Sequence, residues 1–185
     1  MTEIAVFLDR DGTINEEMGY INHLSRFVLL PRSVEAIKML NDAGLKVVVV
    51  TNQSGAARGY FPSSLVAEVH DHLRNLLAAG GAKLDGIYVC LHSPDDGCAC
   101  RKPKPGLILQ AAAELDVDLS RSYLVGDRQM DLQTGANAGV KGILVLSGYG
   151  RGEYELFAPT WKVRPVHVAG DLWDAAQWII KDLQK

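Results

Sequence analysis

Apolar runs along this chain repeatedly stop short in polar residues. Ile4-Ala5-Val6-Phe7-Leu8 is unbroken and strand-forming, and gives way at once to Asp9-Arg10-Asp11-Gly12-Thr13. The same pattern recurs at Leu45-Lys46-Val47-Val48-Val49-Val50 before Thr51-Asn52-Gln53-Ser54-Gly55, and at Tyr123-Leu124-Val125 before Gly126-Asp127-Arg128. Ile87–Cys90 and Ile143–Leu146 read as further strands, the former followed by an irregular loop to Pro105. Continuous apolar runs of this length predict parallel strands buried on both faces. Between them the spacing turns helical: Val34, Ile37 and Leu40 after Pro31 and Ser33, closed by Gly44; Leu65, Val66, Val69, Leu73, Leu76 and Leu77 between Pro62 and Gly80. Leu107, Ile108, Ala111, Ala112 and Leu115 predict another helix, and a short one runs to Gly139. The tail predicts an edge strand at Trp161-Lys162-Val163 and a helix from Asp171, a good N-cap, through Trp173, Ala176, Trp178 and Ile179. Residues 14–30 have no clear period and read as a long loop or small flap.

Strands alternating with helices at this spacing imply an α/β fold, a single doubly wound (Rossmann-like) parallel sheet with helices on both faces. Such sheets bind ligands beyond the carboxyl ends of their strands, where each polar stretch falls.

Composition narrows the picture. A chain of 185 residues with 48% hydrophobic content fits one domain, residues 1–185. A net charge of -3, with no basic stripe, argues against nucleic acid as partner. No apolar run reaches membrane length, and Met1-Thr2-Glu3 leads into the first strand without a basic leader, so we expect a cytoplasmic chain with no membrane partner. The three cysteines, Cys90, Cys98 and Cys100, are odd in number and clustered, which favours metal binding over disulfides.

Side chains two apart on a strand point the same way, so Asp9 and Asp11 address one volume, and a divalent cation such as Mg²⁺ would relieve their repulsion. Asp-Gly is also a plain turn signal; what decides against that reading alone is that later stretches supply the rest of a phosphoryl-transfer site. Asp9 can be both nucleophile and metal ligand, and Asp11 the general acid and then base. Thr51 offers a hydroxyl, Asn52 an amide, a lysine within Arg101-Lys102-Pro103-Lys104-Pro105 a charge for the phosphoryl group, and Asp127 completes the metal site. Cys90-Leu-His92 and Cys98-Ala-Cys100 form a Cys₃His set with the makings of a closed, structural Zn²⁺ site.

These stretches resemble the motifs of the haloacid dehalogenase superfamily of phosphatases: Asp9–Thr13, Thr51-Asn52, a lysine after Arg101, and Gly126-Asp127 with Asp131. The resemblance implies an aspartyl phosphate on Asp9, and Mg²⁺ held by Asp9, the Asp11 main-chain carbonyl and Asp127, with Asp131 a supporting carboxylate behind them. The stretches between motifs leave no room for a large cap domain, so the capless type is expected. The zinc loop followed by Cys-Arg-Lys-Pro narrows the resemblance to two branches, phosphatases of heptose 1,7-bisphosphate and of histidinol phosphate. Both match Lys102 rather than Lys104 as the functional lysine. The heptose branch matches Glu17, Gly19 and Tyr20, then Asn52, Gln53, Ser54 and Arg58, and Arg101 and Arg128 as binders of substrate. The short zinc loop departs toward the histidinol branch. The implied partner is a small phosphorylated sugar taken by a monomer. A receiver domain phosphorylated on aspartate is the reading from another class; Asp11 and the zinc loop speak against it.

Overall fold

The first strand shows how the chain divides its core. In the computed structural model, which describes residues 2–185, Ala5 and Phe7 pack on one side of the sheet and Val6 and Leu8 on the other, all four without exposure. The strands β1 (Ala5–Leu8), β2 (Lys46–Asn52), β3 (Gly86–Cys90), β4 (Tyr123–Gly126), β5 (Lys141–Val145) and β6 (His167–Ala169) form one parallel sheet in the order β3-β2-β1-β4-β5-β6. The order reverses between β1 and β4, the point at which doubly wound sheets open a crevice for ligands.

Helices α1 (Ser33–Asp42), α2 (Ser63–Ala79) and α6 (Leu172–Asp182) cover the face carrying Val6, Leu8, Val47 and Val49. Helix α3 (Gly106–Leu115) packs Leu107, Ile108 and Ala111 on the face of Ala5, Phe7, Val48 and Val50. Helix α4 (Gln129–Ala138) follows β4, and Leu132 joins Leu144, Ala158 and Trp161 in a satellite cluster. Each fully buried aliphatic side chain contributes roughly 1.5–3 kcal/mol, and the unbroken runs in β1 and β2 are what double-sided burial demands.

The flap between β1 and α1 is pinned rather than loose. Leu30 N and Ser33 Oγ both donate to Ile14 O, Glu16 N donates to Val28 O, and Phe27 is buried against the ring of His72. Among the described residues, the segments between the strands hold only helices and short 3-10 turns. Among them, no helix is long and apolar enough to cross a membrane.

The tail corrects one expectation. Trp161-Lys162-Val163 is not a strand: Trp161 follows a short 3-10 turn and buries its ring beneath Leu132 and Leu144, which draws the backbone away from the sheet edge. The edge position is taken by His167–Ala169, pairing in parallel with Ile143–Val145. A further helix, α5 (Gly150–Phe157), carries no apolar stripe that the sequence made visible.

Candidate active site

The carboxyl ends of β1, β2 and β4 surround a cavity of about 280 Å³. Asp9, Asp11, Glu17, Gly19, Tyr20, Thr51, Asn52, Gln53, Ser54, Arg101, Lys102 and Arg128 all line it, so strand ends and loops distant in sequence converge, whereas Asp127 lies outside the lining. Asp131, Met130 and Tyr149 line it as well. Arg58 does not: its backbone N donates to Ser54 O while its side chain is exposed outside the lining.

Asp9 leaves β1 with its N–H donating to Val125 O on β4, which fixes the start of the motif against the neighbouring strand. Its Oδ1 accepts from Arg10 N at 2.7 Å and from Lys102 Nζ at 2.9 Å. Gly12 turns the chain with φ +79°, a region that favours glycine, and a Cβ there would overlap the Asp127 carboxylate. Gly126 is needed for space alone, since a Cβ would collide with Asp131. These two glycines admit carboxylates where any side chain would block them.

Asp9, Asp127 and Asp131 each offer an oxygen within one cluster, all within 4.8 Å. Burial, with like charges beside it, pushes Asp9 up to about 7 despite the opposing Lys102, and Asp127 up to about 8. Asp127 Oδ2 accepts from Tyr149 N at 2.8 Å, whereas its buried Oδ1 has no partner among the described residues. An orphaned, buried carboxylate oxygen beside two other carboxylates fits a hard divalent cation with oxygen ligands. Asp131 is already engaged, its Oδ1 accepting from Lys102 Nζ at 2.6 Å and its Oδ2 from Arg128 N at 3.1 Å.

Lys102 is 5% exposed and its charge is held by those two carboxylates: burial would lower its pKa, but Asp131 and Asp9 together raise it. Asn52 fixes the backbone that delivers it, accepting from Lys102 N at 3.1 Å. Lys104, the other lysine of the stretch, points away and donates to Gly97 O and Cys98 O.

Asp11 stands apart from the carboxylate cluster. It accepts from Arg10, from Asn15 Nδ2 at 2.9 Å and from Gln53 Nε2 at 2.7 Å, and Gln53 also donates to Thr51 Oγ1 at 3.0 Å. Burial works against its ionised form, but Arg10 and these donors prevail and lower its pKa. Arg10, Asn15 and His70 escaped the sequence reading. The available signals were an arginine between two candidate catalytic carboxylates and a histidine inside the apolar stripe of α2.

The Cys/His set gathers beside this cavity. Sulfur separations are 3.7 Å for Cys90–Cys98, 3.2 Å for Cys90–Cys100 and 3.5 Å for Cys98–Cys100, with His92 Nδ1 3.6 Å from Cys90 and 3.3 Å from Cys100. A Zn–S bond of ~2.3 Å gives tetrahedral edges of ~3.8 Å, so thiolates and imidazole nearly span such a polyhedron already. Arg101 Nη1 donates to His92 O at 3.3 Å, linking this loop directly to a cavity-lining arginine.

Comparison with known proteins gives the same picture. The family model described as HAD-hyrolase-like matches residues 99–175. A D-glycero-D-manno-heptose-1,7-bisphosphate 7-phosphatase of Thermosynechococcus vestitus is 41% identical over 99% of this chain and 98% of its own length. A D-glycero-beta-D-manno-heptose-1,7-bisphosphate 7-phosphatase of Yersinia pestis is 38% identical, covering 97% of this chain and 90% of its own. The crystal structure of D,D-heptose 1,7-bisphosphate phosphatase from B. bronchiseptica, complexed with magnesium and phosphate, superposes with a TM-score of 0.89 at 38% identity, over 97% of this chain and 99% of that one.

Proposed function

Because the chain belongs to the haloacid-dehalogenase-like phosphatases, we propose that it removes the 7-phosphate of D-glycero-D-manno-heptose 1,7-bisphosphate through an aspartyl phosphate on Asp9. The observation that carries the chemistry is the buried group of Asp9, Lys102 and Asp131 at the cavity floor, with Asp11 beside it.

Asp9 Oδ1 is occupied by Lys102 and Arg10 N, so Oδ2 is the attacking oxygen. Lys102, Thr51 and Asn52 meet the equatorial oxygens of the transferring phosphoryl group, where charge must be stabilised. The negative charge of a bound substrate phosphate beside Asp11 opposes the donors that hold it ionised, so that Asp11 can carry a proton, give it to the departing sugar oxygen, and then take one from the water that attacks phosphorus and releases phosphate from Asp9. Mg²⁺, when bound by Asp9, the Asp11 main-chain carbonyl and Asp127, neutralises the carboxylates and draws charge from the phosphoryl oxygens.

Arg101 and Arg128 at the cavity wall suit the second phosphate, since guanidinium forks bind oxyanions bidentately. Glu17, Gly19, Tyr20, Gln53 and Ser54 shape the sugar site. Arg58, exposed outside the cavity, is left with the weakest case. Zn²⁺ held by Cys90, His92, Cys98 and Cys100 would have no open position and so a structural role. The whole acts as one domain, residues 1–185, and as a monomer in the reducing cytoplasm, where the three thiols stay available to metal.

The test is phosphate release with Mg²⁺ from both anomers of the heptose bisphosphate and from histidinol phosphate, side by side. A clear preference in kcat/KM for a heptose bisphosphate is expected; a preference for histidinol phosphate would overturn the substrate assignment.

A further inference from the structure

Arg10 is the largest fully buried side chain among the described residues, 2% exposed, and a buried guanidinium needs partners to justify it. Its partners are specific. Nη2 donates to both oxygens of Asp11 at 2.9 Å, Nε donates to Oδ1 at 3.3 Å, and Nη1 lies 3.2 Å from Nε2 of His70. Arg10 lies past the end of β1 in a bend whose carbonyl accepts from Ile14 N, and this turn lets its side chain reach that of its neighbour Asp11.

A guanidinium has donors and no acceptor. His70 Nε2 must therefore accept, which places the imidazole proton on Nδ1 and leaves the ring neutral. Burial, helped by the charges of Arg10 and Arg74, favours that form and pushes His70 down to about 4. His70 is 6% exposed and sits in the apolar stripe of α2 with Val66, Val69, Leu73 and Leu77. Packing alone asks for leucine there.

We propose that Arg10 and His70 are positioning residues: His70, from α2, orients the Arg10 guanidinium, and that planar fork fixes the plane of the Asp11 carboxylate at the cavity. A point charge would neutralise Asp11; a doubly hydrogen-bonded fork also sets its rotation, and a group that must first give and then take a proton depends on its aim. This inference rests on Asp11 acting as acid and base, and the experiment separates the two.

His70→Leu removes the acceptor, His70→Gln returns one from a similar reach, and Arg10→Lys keeps the charge but loses the fork. Rates are measured on the heptose bisphosphate and on p-nitrophenyl phosphate, whose leaving group needs no proton, and are normalised to the folded fraction from circular dichroism. His70→Leu and Arg10→Lys should each lower kcat on the sugar phosphate ~10-fold or more with KM within about twofold, as misaimed catalytic groups do. On p-nitrophenyl phosphate both should show a burst followed by accumulated phosphoenzyme, since attack proceeds and water activation lags. His70→Gln should recover most of the loss. Arg10→Lys serves where His70→Leu does not fold. Asp11→Asn is the control: if it fails to separate the two substrates, the acid/base reading itself falls. If it separates them while the Arg10 and His70 variants slow both equally, or not at all, and trap no phosphoenzyme, only the positioning role is overturned.

Discussion

Lys102 Nζ lies 2.6 Å from Asp131 Oδ1 and 2.9 Å from Asp9 Oδ1, so the lysine that faces the proposed nucleophile is anchored from behind by a carboxylate of α4. Without Asp131 the ammonium would have Asp9 as its one carboxylate partner, and a tight pair with the nucleophile would hinder attack. Asp131 also accepts from Arg128 N at 3.1 Å, which caps the start of α4. We expect Asp131→Ala to lower kcat by ~10²-fold or more, as for a misplaced catalytic group, and to lower stability by roughly 1.5–3 kcal/mol, as for a lost hydrogen bond to a charged group whose other carboxylate partner remains. Steady-state rates and urea unfolding check both; an unchanged kcat in folded protein would show that Lys102 needs no anchor.

The strands around this pair were legible because β1, β2 and β4 are buried on both faces and so must be apolar without interruption, up to the residue where the chain emerges. The motif residues inherit that clarity, sitting just beyond each run. What the sequence concealed lacks a period. β6 is three residues with a polar His167 at its start, and α5 begins with two glycines in three residues, Gly150 and Gly152, which are poor helix formers, with Leu156 and Phe157 exposed. The Arg10–His70 contact joins residues 60 apart in a pairing that only the packing of α2 against the sheet brings about.

The buried His70 makes a prediction about pH. Its folded pKa, about 4, lies below the ordinary 6.5, so the unfolded chain takes up a proton that the folded chain refuses. Stability linked to His70 is full above pH 6.5 and is lost as the pH falls toward 4, on the order of 3 kcal/mol in all. Urea unfolding of the chain and of His70→Gln at pH 7.5 and pH 4.5 should show the difference between them shift in favour of the variant at the lower pH. A pH-independent difference would mean that His70 titrates normally.

The Cys/His loop, as a proposed zinc site, should act on substrate recognition as well as on stability, because Arg101 is tied to His92 O and Lys104 to the carbonyls of Gly97 and Cys98. Protein purified without chelator should carry close to one zinc per chain by metal analysis. Cys98→Ser should lower the melting temperature and raise KM for the bisphosphate more than for a monoester. Less than about half a zinc per chain would sink the assignment, since a closed Cys₃His site fills readily.

Arg128 gives the last prediction, because Tyr149, the N-cap of α5, and Glu153 within that helix hold it from two sides. Its guanidinium stacks 4.8 Å from the Tyr149 ring centroid, and its Nε donates to Glu153 Oε1 at 3.0 Å, while the other oxygen of Glu153 accepts from Gln129 N at 2.7 Å. Glu153 thus binds the start of α4 and the arginine together, restricting a side chain that would otherwise be free in solvent. Orienting a cation before the substrate arrives lowers the entropy lost on binding. Removing the arginine should abolish the second oxyanion contact: Arg128→Ala, and Arg101→Ala likewise, should raise KM for the heptose bisphosphate ~10-fold or more, in the range of a lost charge-assisted hydrogen bond, with little change for p-nitrophenyl phosphate. Glu153→Gln keeps the acceptor for Arg128 Nε but weakens its hold, so it should produce the same pattern at smaller amplitude. Equal losses on the two substrates would instead place these arginines on the transferring phosphate. A Glu153→Gln variant that binds the bisphosphate more tightly would show that Glu153 competes with the substrate for Arg128 rather than presenting it.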